Sequence, residues 1–164
     1  MGKDKPNSTN ASPEVLPLIS GDYVKNAKKA GLLIHACYMV GNDGETRETM
    51  EETLQLALRL NTDTAQFFPL IPYPGTEAYN LARKNGCLTL DYENYCNEDG
   101  THNTVLNLPG LSADQMVDFC NYARKKYYLR LRYILHRLWV GIQNPDDLKR
   151  SLKAFGKLRK YLFK

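Results

Sequence analysis

Two turns that contain glycine are the parts of this sequence best suited to bind a ligand. Residues 41–46 (Gly-Asn-Asp-Gly-Glu-Thr) and residues 72–76 (Pro-Tyr-Pro-Gly-Thr) each follow directly on a short apolar run. Glycine lets the backbone come close to a ligand, and free N–H groups at the start of a helix attract anions. The first turn matches neither the dinucleotide-binding fingerprint nor a phosphate-binding loop with its lysine. A ligand-binding turn and an ordinary tight turn therefore both remain open interpretations of residues 41–46.

The residues between the two turns are predicted to form a helix that links two parallel strands. Apolar residues recur there at i, i+4, i+7 and i+8, the period of a helix with one buried face: Met50, Leu54, Ala57 and Leu58. The two apolar runs, 32–40 and 64–71, are the predicted strands, and Thr46 is placed to cap the helix. Both turns then lie at the carboxyl ends of parallel strands, where α/β proteins bind ligands. The continuous hydrophobicity of residues 32–40 predicts a strand covered on both faces.

The chain is predicted to have three parts. Residues 1–18 are polar, show no periodicity and are expected to be disordered. Residues 19–110 contain a helix over 22–30, the two strands with their helix, a helix over 76–86 and a long irregular loop. Residues 111–164 are expected to be helical and strongly basic.

Three helices are predicted in this C-terminal part. Ser112 and Gln115 form a capping box at the start of the first. Its apolar residues share one face: Met116, Phe119, Cys120, Ala123 and Tyr127. A second helix is predicted over residues 132–140, and a third begins at Asp146, after Asn-Pro has ended the second.

The cysteines do not form a metal-binding pattern. They lie 50, 9 and 24 residues apart, which is no zinc spacing and is too sparse for a disulfide framework: Cys37, Cys87, Cys96 and Cys120. Isolated buried thiols are the expected state. From these residues we predict no metal ligand and no catalytic side chain.

The histidines are equally scattered. His35, among apolar residues, is expected to be a core histidine, whereas His102 in the long loop is the one placed to meet a substrate. Three tyrosines are candidates either for the mouth of a substrate site or for ordinary surface residues: Tyr73, Tyr92 and Tyr95.

Composition excludes several classes of protein. The content of 43% hydrophobic and 24% charged residues is typical of a globular domain. No apolar run approaches the roughly 20 residues that span a bilayer, and the N-terminus lacks the apolar core of a signal peptide. The expected location is the cytoplasm.

Charge is unevenly distributed. From Arg124 to the end, thirteen Lys and Arg face two Asp, so this segment carries +11 and the first 123 residues carry −7. Such asymmetry indicates an anionic partner for the C-terminal part, and contact with the inner face of a membrane is one interpretation. A solvated basic face is the other. No nucleic-acid-binding motif is found, so nucleic acid is not the expected partner.

Taken together, the two turns resemble the later part of radical S-adenosylmethionine enzymes. The shared pattern is an apolar strand ending in Gly-x-x-Gly-Glu-Thr, an acidic helix, and a strand ending in Pro-x-Pro-Gly-Thr. Three segments in the same order resemble more narrowly the subgroup with an N-terminal cobalamin-binding domain: residues 28–54, residues 63–86, and residues 109–138 in part. The resemblance covers about residues 22–164. It implies the last βαβα part of a partial TIM-type barrel, followed by a C-terminal helical extension.

The resemblance also implies where S-adenosylmethionine would bind. In the family, the first of these strands packs its main chain and apolar side chains against the adenine and ribose, and the last strand flanks the adenine. The corresponding positions here are Cys37, Met39, Gly41, Leu70, Ile71 and Pro72, with Glu45 as an approximate match because its spacing is one residue longer. The alternatives are that Met39, Leu70 and Ile71 are core residues and that Glu45 is a helix-start acid.

Three departures from the family pattern bear on activity. Asn42 and Asp43 stand where the family has Leu-Pro, and Ala36 stands where it often has glycine. The Cys-x-x-x-Cys-x-x-Cys motif that holds the family's 4Fe–4S cluster is absent from this sequence. The full-length family uses S-adenosylmethionine and this cluster, and cobalamin would bind through an N-terminal domain.

The favoured hypothesis is therefore a fragment of a radical S-adenosylmethionine enzyme that is inactive alone and whose N-terminal half lies elsewhere. The apolar run 32–40 supports this, since an unpaired strand edge in a self-sufficient module should carry charge or proline. The alternative is a non-catalytic accessory module that uses its basic helices on an anionic membrane or an acidic partner. The sequence leaves open whether the chain itself is an enzyme and which substrate, lipid-like or tetrapyrrole, its family members would use.

Overall fold

The computed structural model describes residues 15–95 and 105–143, with side chains from Gly21 onward, and three further helical positions: Lys149, Lys153 and Gly156. Over these residues the chain is a mixed α/β protein. Its elements are α1 (Val15–Lys29), β1 (His35–Val40), α2 (Arg47–Leu60), β2 (Thr64–Pro69), α3 (Glu77–Lys84), α4 (Ala113–Tyr128) and α5 (Leu131–Gln143), with a short 3-10 turn at Tyr92–Asn94. No helix in the described part of the chain has the length and hydropathy needed to cross a bilayer.

β1 and β2 are neighbouring parallel strands, as the sequence predicts. The register pairs His35 with Thr64 at one end and Val40 with Pro69 at the other. Proline has no N–H to donate to a ladder, and β2 ends at Pro69, two residues before the predicted end at residue 71. Within the ranges that the structure describes, these are the two strands of the sheet, so each has one unpaired edge.

β1 begins three residues later than predicted. The N–H of Leu32 donates to the carbonyl of Ala27 at 3.0 Å, and Gly31 has a φ of +75°. These two features close the C-terminal end of α1, so residues 31 and 32 are not available to the strand. Leu32 and Leu33 are exposed in this connection rather than buried in a sheet.

The other boundaries also differ at helix ends. α1 begins at Val15, so the predicted disordered segment 1–18 overlaps it by four residues, and the rest of that segment lies outside the described residues. α5 continues through Gly141 to Gln143 instead of ending near residue 140. The predicted basic helix that begins at Asp146 lies outside the described residues, except for the three single positions given above.

One face of the sheet is packed and the other is open. The packed face and the helices that cover it form the core: Tyr38, Val40, Met50, Leu54, Ala57, Ala65, Phe67, Met116, Phe119, Cys120, Ala123 and Tyr127. This confirms the predicted buried faces of α2 and α4. On the other face, His35, Cys37 and Met39 are exposed. The prediction that this strand is covered on both faces is therefore wrong for the described residues.

A group of tyrosines joins α4 and α5 to the start of β2. The Tyr127 hydroxyl donates to the Thr62 carbonyl at 2.6 Å, and the Tyr128 hydroxyl donates to the Ala65 carbonyl at 2.6 Å. The Tyr133 hydroxyl reaches the Asp63 carbonyl at 2.8 Å. Burial raises the pKa of all three hydroxyls above the ordinary value, so they remain donors further into the alkaline range. Backbone carbonyls beside the sheet are thereby satisfied without a further strand.

Tyr38 differs from these tyrosines because its buried hydroxyl, although near the Thr62 side chain, has no hydrogen bond of ordinary geometry within the described part of the chain. We expect Tyr38→Phe to raise the free energy of unfolding by about 1 kcal/mol at neutral pH, because it removes an unsatisfied polar group and keeps the ring stacked on Phe67.

Burial also raises the pKa of Tyr38 from 10.0 to about 12. The wild-type chain therefore loses stability as the pH rises from 10 towards 12, because only the unfolded state releases this proton readily there. Urea unfolding of both proteins, at neutral and alkaline pH, should show the advantage of phenylalanine growing with pH. An equal or lower stability of the phenylalanine variant would contradict the prediction.

Candidate functional site

The two chain segments that leave the sheet lie side by side at its carboxyl end. The N–H of Leu70 donates to the carbonyl of Val40 at 2.6 Å, which brings the segment after β2 against the turn after β1. Gly41 has a φ of +100°, and a Cβ atom at this position would lie 2.8 Å from the Met116 sulfur and 3.5 Å from the Leu70 Cβ. Glycine is favoured here by its positive φ and by the close approach of Met116 on α4, whose sulfur a Cβ atom would displace.

The carboxylate of Glu45 closes the first turn. One of its oxygens accepts the N–H of Gly41 at 3.1 Å, and the other accepts a short hydrogen bond from the Thr49 hydroxyl. Thr46 and Thr49 form a reciprocal capping box at the start of α2. Thus Glu45 and Thr46 hold the glycine-containing turn in place, which is the structural alternative that the sequence offered for Glu45.

Alternate residues of β1 present their side chains on the open face of the sheet. Cys37 and Met39 are exposed there. His35 is also exposed, and its Nδ1 atom lies 2.7 Å from the Thr64 hydroxyl. The prediction of a core histidine at position 35 is therefore wrong, because the strand is covered on one face and His35 lies on the other.

Beyond β2, the burial of the candidate residues increases along the chain. Leu70 and Ile71 are half-buried, whereas Pro72 is one of the fully buried residues of the described structure. Leu70 packs against the core and contacts the Gly41 turn. Met39, Gly41 and Leu70 therefore lie together at one end of the sheet. Cys37 lies further back on the same strand as Met39, and the candidate surface open to a ligand consists mainly of Cys37, Met39 and Ile71.

A wide cleft of about 1210 Å³ lies beside this end of the sheet. Its wall is formed by Met39, by residues 42–45 and by the outward side of α2. Two of the seven candidate residues, Met39 and Glu45, belong to its lining. The charged side chains along it are mostly acidic: Asp43, Glu45, Glu48, Glu51 and Glu52, with Arg47 and Arg59. The pKa of Glu48 lies below its ordinary value, because its own backbone N–H and the Thr46 hydroxyl bind the carboxylate.

The described cysteines lie in different environments. Cys37 is exposed on the sheet, while Cys87 and Cys120 are buried, and Cys96 lies outside the described residues. Burial raises the pKa of the Cys120 thiol to about 11. Within the described ranges, no three His, Cys, Asp or Glu side chains are grouped so that they could hold a metal ion. These residues do not fit an iron–sulfur cluster, which requires clustered thiolates.

The three tyrosines predicted either to line the mouth of a substrate site or to be ordinary surface residues lie together after β2. The rings of Tyr73, Tyr92 and Tyr95 lie within 6.5 Å of one another, measured between centroids. Tyr95 is buried, and its hydroxyl has no hydrogen-bond partner among the described residues. The sequence signal for this cluster is the Pro-Tyr-Pro-Gly turn, but the contacts depend on a return of the chain that no local pattern predicts. His102, the other loop candidate, lies outside the described residues.

Comparison with known proteins gives two curated relatives, and no family model matches the chain. The chain is 33% identical to an uncharacterized methyltransferase of Pyrococcus horikoshii in an alignment 161 positions long, which covers 93% of this chain and 33% of that protein. It is 24% identical over 118 residues to the anaerobic magnesium-protoporphyrin IX monomethyl ester cyclase of Cereibacter sphaeroides, which are 72% of this chain and 18% of that protein. The chain thus spans a third or less of the length of these relatives. Both relatives are named as enzymes, which is consistent with the family resemblance.

Proposed function

We propose that this chain is the part of a larger radical S-adenosylmethionine enzyme, of the cobalamin-binding subgroup, that flanks the adenine and ribose of S-adenosylmethionine. The observation that carries the proposal is the parallel pair β1–β2, with one face packed on helices and the other open. In a barrel wall, residues of each strand alternate between the helix-covered outside and the interior. Cys37 and Met39 occupy the positions that would face such an interior.

The described residues fit part of a binding surface for S-adenosylmethionine. Met39 and Ile71 offer apolar surface to a flat base, while Gly41 and Pro72 support them from within the fold. When bound, S-adenosylmethionine would supply an adenosyl or methyl group. This chain's own residues would then hold the nucleoside and exclude water on that side.

The cofactors of the full family would need residues outside those described here. The described cysteines do not fit a 4Fe–4S cluster, so we derive no reaction step through one. We propose that further barrel strands, the cluster ligands and any cobalamin-binding domain are supplied by sequence beyond these 164 residues, in the same polypeptide or in another. The name of the methyltransferase relative favours methyl transfer, and that of the cyclase favours ring closure, so the reaction itself is left open.

Titration of the isotope-labelled chain with S-adenosylmethionine, followed by NMR, tests the proposal. We expect amide signals to shift in residues 37–45, 70 and 71, with signals of α5 unchanged. Met39→Glu should weaken binding about tenfold by replacing apolar contact with a charged group beside a base. The control Tyr23→Glu alters an exposed residue of α1 and should leave binding unchanged. Shifts that are absent, or that lie outside the two segments, would contradict the proposal and favour the accessory-module alternative.

A further inference from the structure

We propose that helix α5 docks on the surface of an anionic lipid bilayer through an exposed apolar face. This face, the α5 ridge, consists of Leu131, Ile134, Leu135, Leu138, Trp139 and Ile142. These residues recur at i, i+3, i+4, i+7, i+8 and i+11, so they lie on one side of the helix. The inference rests on α5 and on no feature of the proposed S-adenosylmethionine site, so either proposal can fail alone.

The ridge is exposed although it is made of large apolar side chains. Trp139 is 62% exposed and Ile142 is 75% exposed. Six neighbouring apolar side chains form a continuous surface, which in soluble proteins marks a site of contact rather than scattered exposure. A partner is therefore expected to cover it.

The opposite side of α5 is already held by the domain. Tyr133 bonds to the Asp63 carbonyl, and its ring packs at 5.2 Å from Tyr128 and at 5.7 Å from Tyr127, measured between centroids. Gly141, further along the helix, is buried. Because these contacts fix one side of the helix, the ridge faces away from the core.

The charges around the ridge favour an anionic partner. Arg132 is exposed, and helical spacing places it at the edge of the ridge. No Asp or Glu occurs between Asp118 and Asp146, so the last part of α4 and all of α5 carry no acidic residue. A helix with apolar residues on one face and basic residues at its flank lies in the interface of anionic membranes.

Cover by this chain itself is the competing arrangement, because residues 144–164 repeat leucine and phenylalanine at helical spacing. The same residues contain seven Lys and Arg against two Asp, and this added positive charge favours an anionic surface as the partner. A second copy paired through the ridge would place Arg132 of one chain near the basic flank of the other. A lipid bilayer can cover the apolar ridge and also attract the positive charge beside it. It accepts a convex apolar helix and provides anionic headgroups on either side.

The intrinsic fluorescence of the full 164-residue chain tests this directly, because Trp139 is the one tryptophan in the sequence. The probes are vesicles of phosphatidylcholine with phosphatidylglycerol, and vesicles of phosphatidylcholine alone. We expect the anionic vesicles to shift the emission to shorter wavelength, and lipids brominated on their acyl chains to quench it. The neutral vesicles should have little effect.

Two substitutions in the ridge provide the matched comparison. Leu135→Glu and Ile142→Glu should each weaken vesicle binding by about tenfold, because a charged group replaces apolar surface that enters the bilayer. Leu33→Glu is the control: Leu33 is as exposed as Ile142 but lies before β1, and its replacement should leave vesicle binding unchanged. Circular dichroism of each variant checks that the helices are retained.

Three results would refute the proposal. One is emission already at short wavelength without vesicles and dependent on protein concentration, which would indicate a second copy on the ridge. Another is short-wavelength emission that is lost when residues 144–164 are removed, which would indicate cover by this chain. The third is vesicle binding that leaves the Trp139 emission unshifted and disappears near about 0.5 M salt, which would indicate contact through charge alone.

Discussion

Replacing Arg130 with alanine should lower the free energy of unfolding by about 3 kcal/mol, measured by urea denaturation. Its guanidinium group donates to the Tyr127 carbonyl at 2.9 Å and to the Leu58 carbonyl at 3.2 Å. It also donates to the Asn61 side chain at 3.0 Å and lies over the Tyr127 ring at 4.4 Å from the centroid. A single cation thus satisfies carbonyl groups in the last turns of α2 and α4, where the helix dipoles favour positive charge.

Arg132→Ala is the matched control for this prediction. Arg132 is exposed two residues further along, and its loss should change the free energy of unfolding by no more than about 0.5 kcal/mol. Arg130→Lys should recover less than half of the loss, because a lysine ammonium does not reproduce the planar fork of donors. Equal effects of the alanine substitutions at 130 and 132 would show that the hydrogen bonds of Arg130 add nothing to stability.

Gly41→Ala should also destabilise the chain by about 3 kcal/mol. About half of this comes from a side chain at a φ of +100°, and the rest from displacing Met116, whose sulfur would lie 2.8 Å from the new methyl group. Since α4 packs on the sheet through Met116, the substitution should also disturb the carboxyl end of β1. Urea denaturation measures the stability, and the S-adenosylmethionine titration measures the effect on the candidate site.

The control Gly44→Ala separates these two causes. Gly44 has a φ of +76° but nothing within 4 Å of a Cβ atom, so its replacement should cost about 1 kcal/mol from backbone strain alone. Combining Gly41→Ala with Met116→Ala should cost less than the sum of the single changes, because the methyl group then fills space that the sulfur has left. Strict additivity would mean that the contact with Met116 is not the source of the loss.

Local patterns were sufficient to predict α2 and α4. They also predicted that β1 and β2, the strands before and after α2, pair in parallel. Thr46 and Ser112 begin their helices as capping residues, and the apolar period of each helix identifies its buried face. These features depend on neighbours in the sequence, so they can be derived without knowing the fold. The adjacency of the two glycine-containing turns at one end of the sheet follows from the same pattern.

Local patterns could not predict which faces of the sheet are covered by other elements. The run 32–40 is apolar throughout, yet alternate residues of β1 are exposed and its first three residues are not in the strand. A hydrophobic sequence shows that burial is favourable but does not show whether a neighbouring element is present to provide it. The open face that carries Cys37 and Met39 is therefore a result of the tertiary structure.

For the basic residues too, the sequence determined one property and the tertiary structure another. The sequence determined that cations dominate the C-terminal part, and with it the prediction of an anionic partner. Only the tertiary structure decided which of these cations are available to a partner. Arg130 is already bound at two helix ends, and Arg124 donates to the Phe67 carbonyl of β2. Likewise, the sequence predicted a helix over residues 132–140, whereas the side of α5 that faces solvent was fixed by the contacts of Tyr133. Composition and period are properties of neighbouring residues, but exposure depends on which distant segments pack against each side chain.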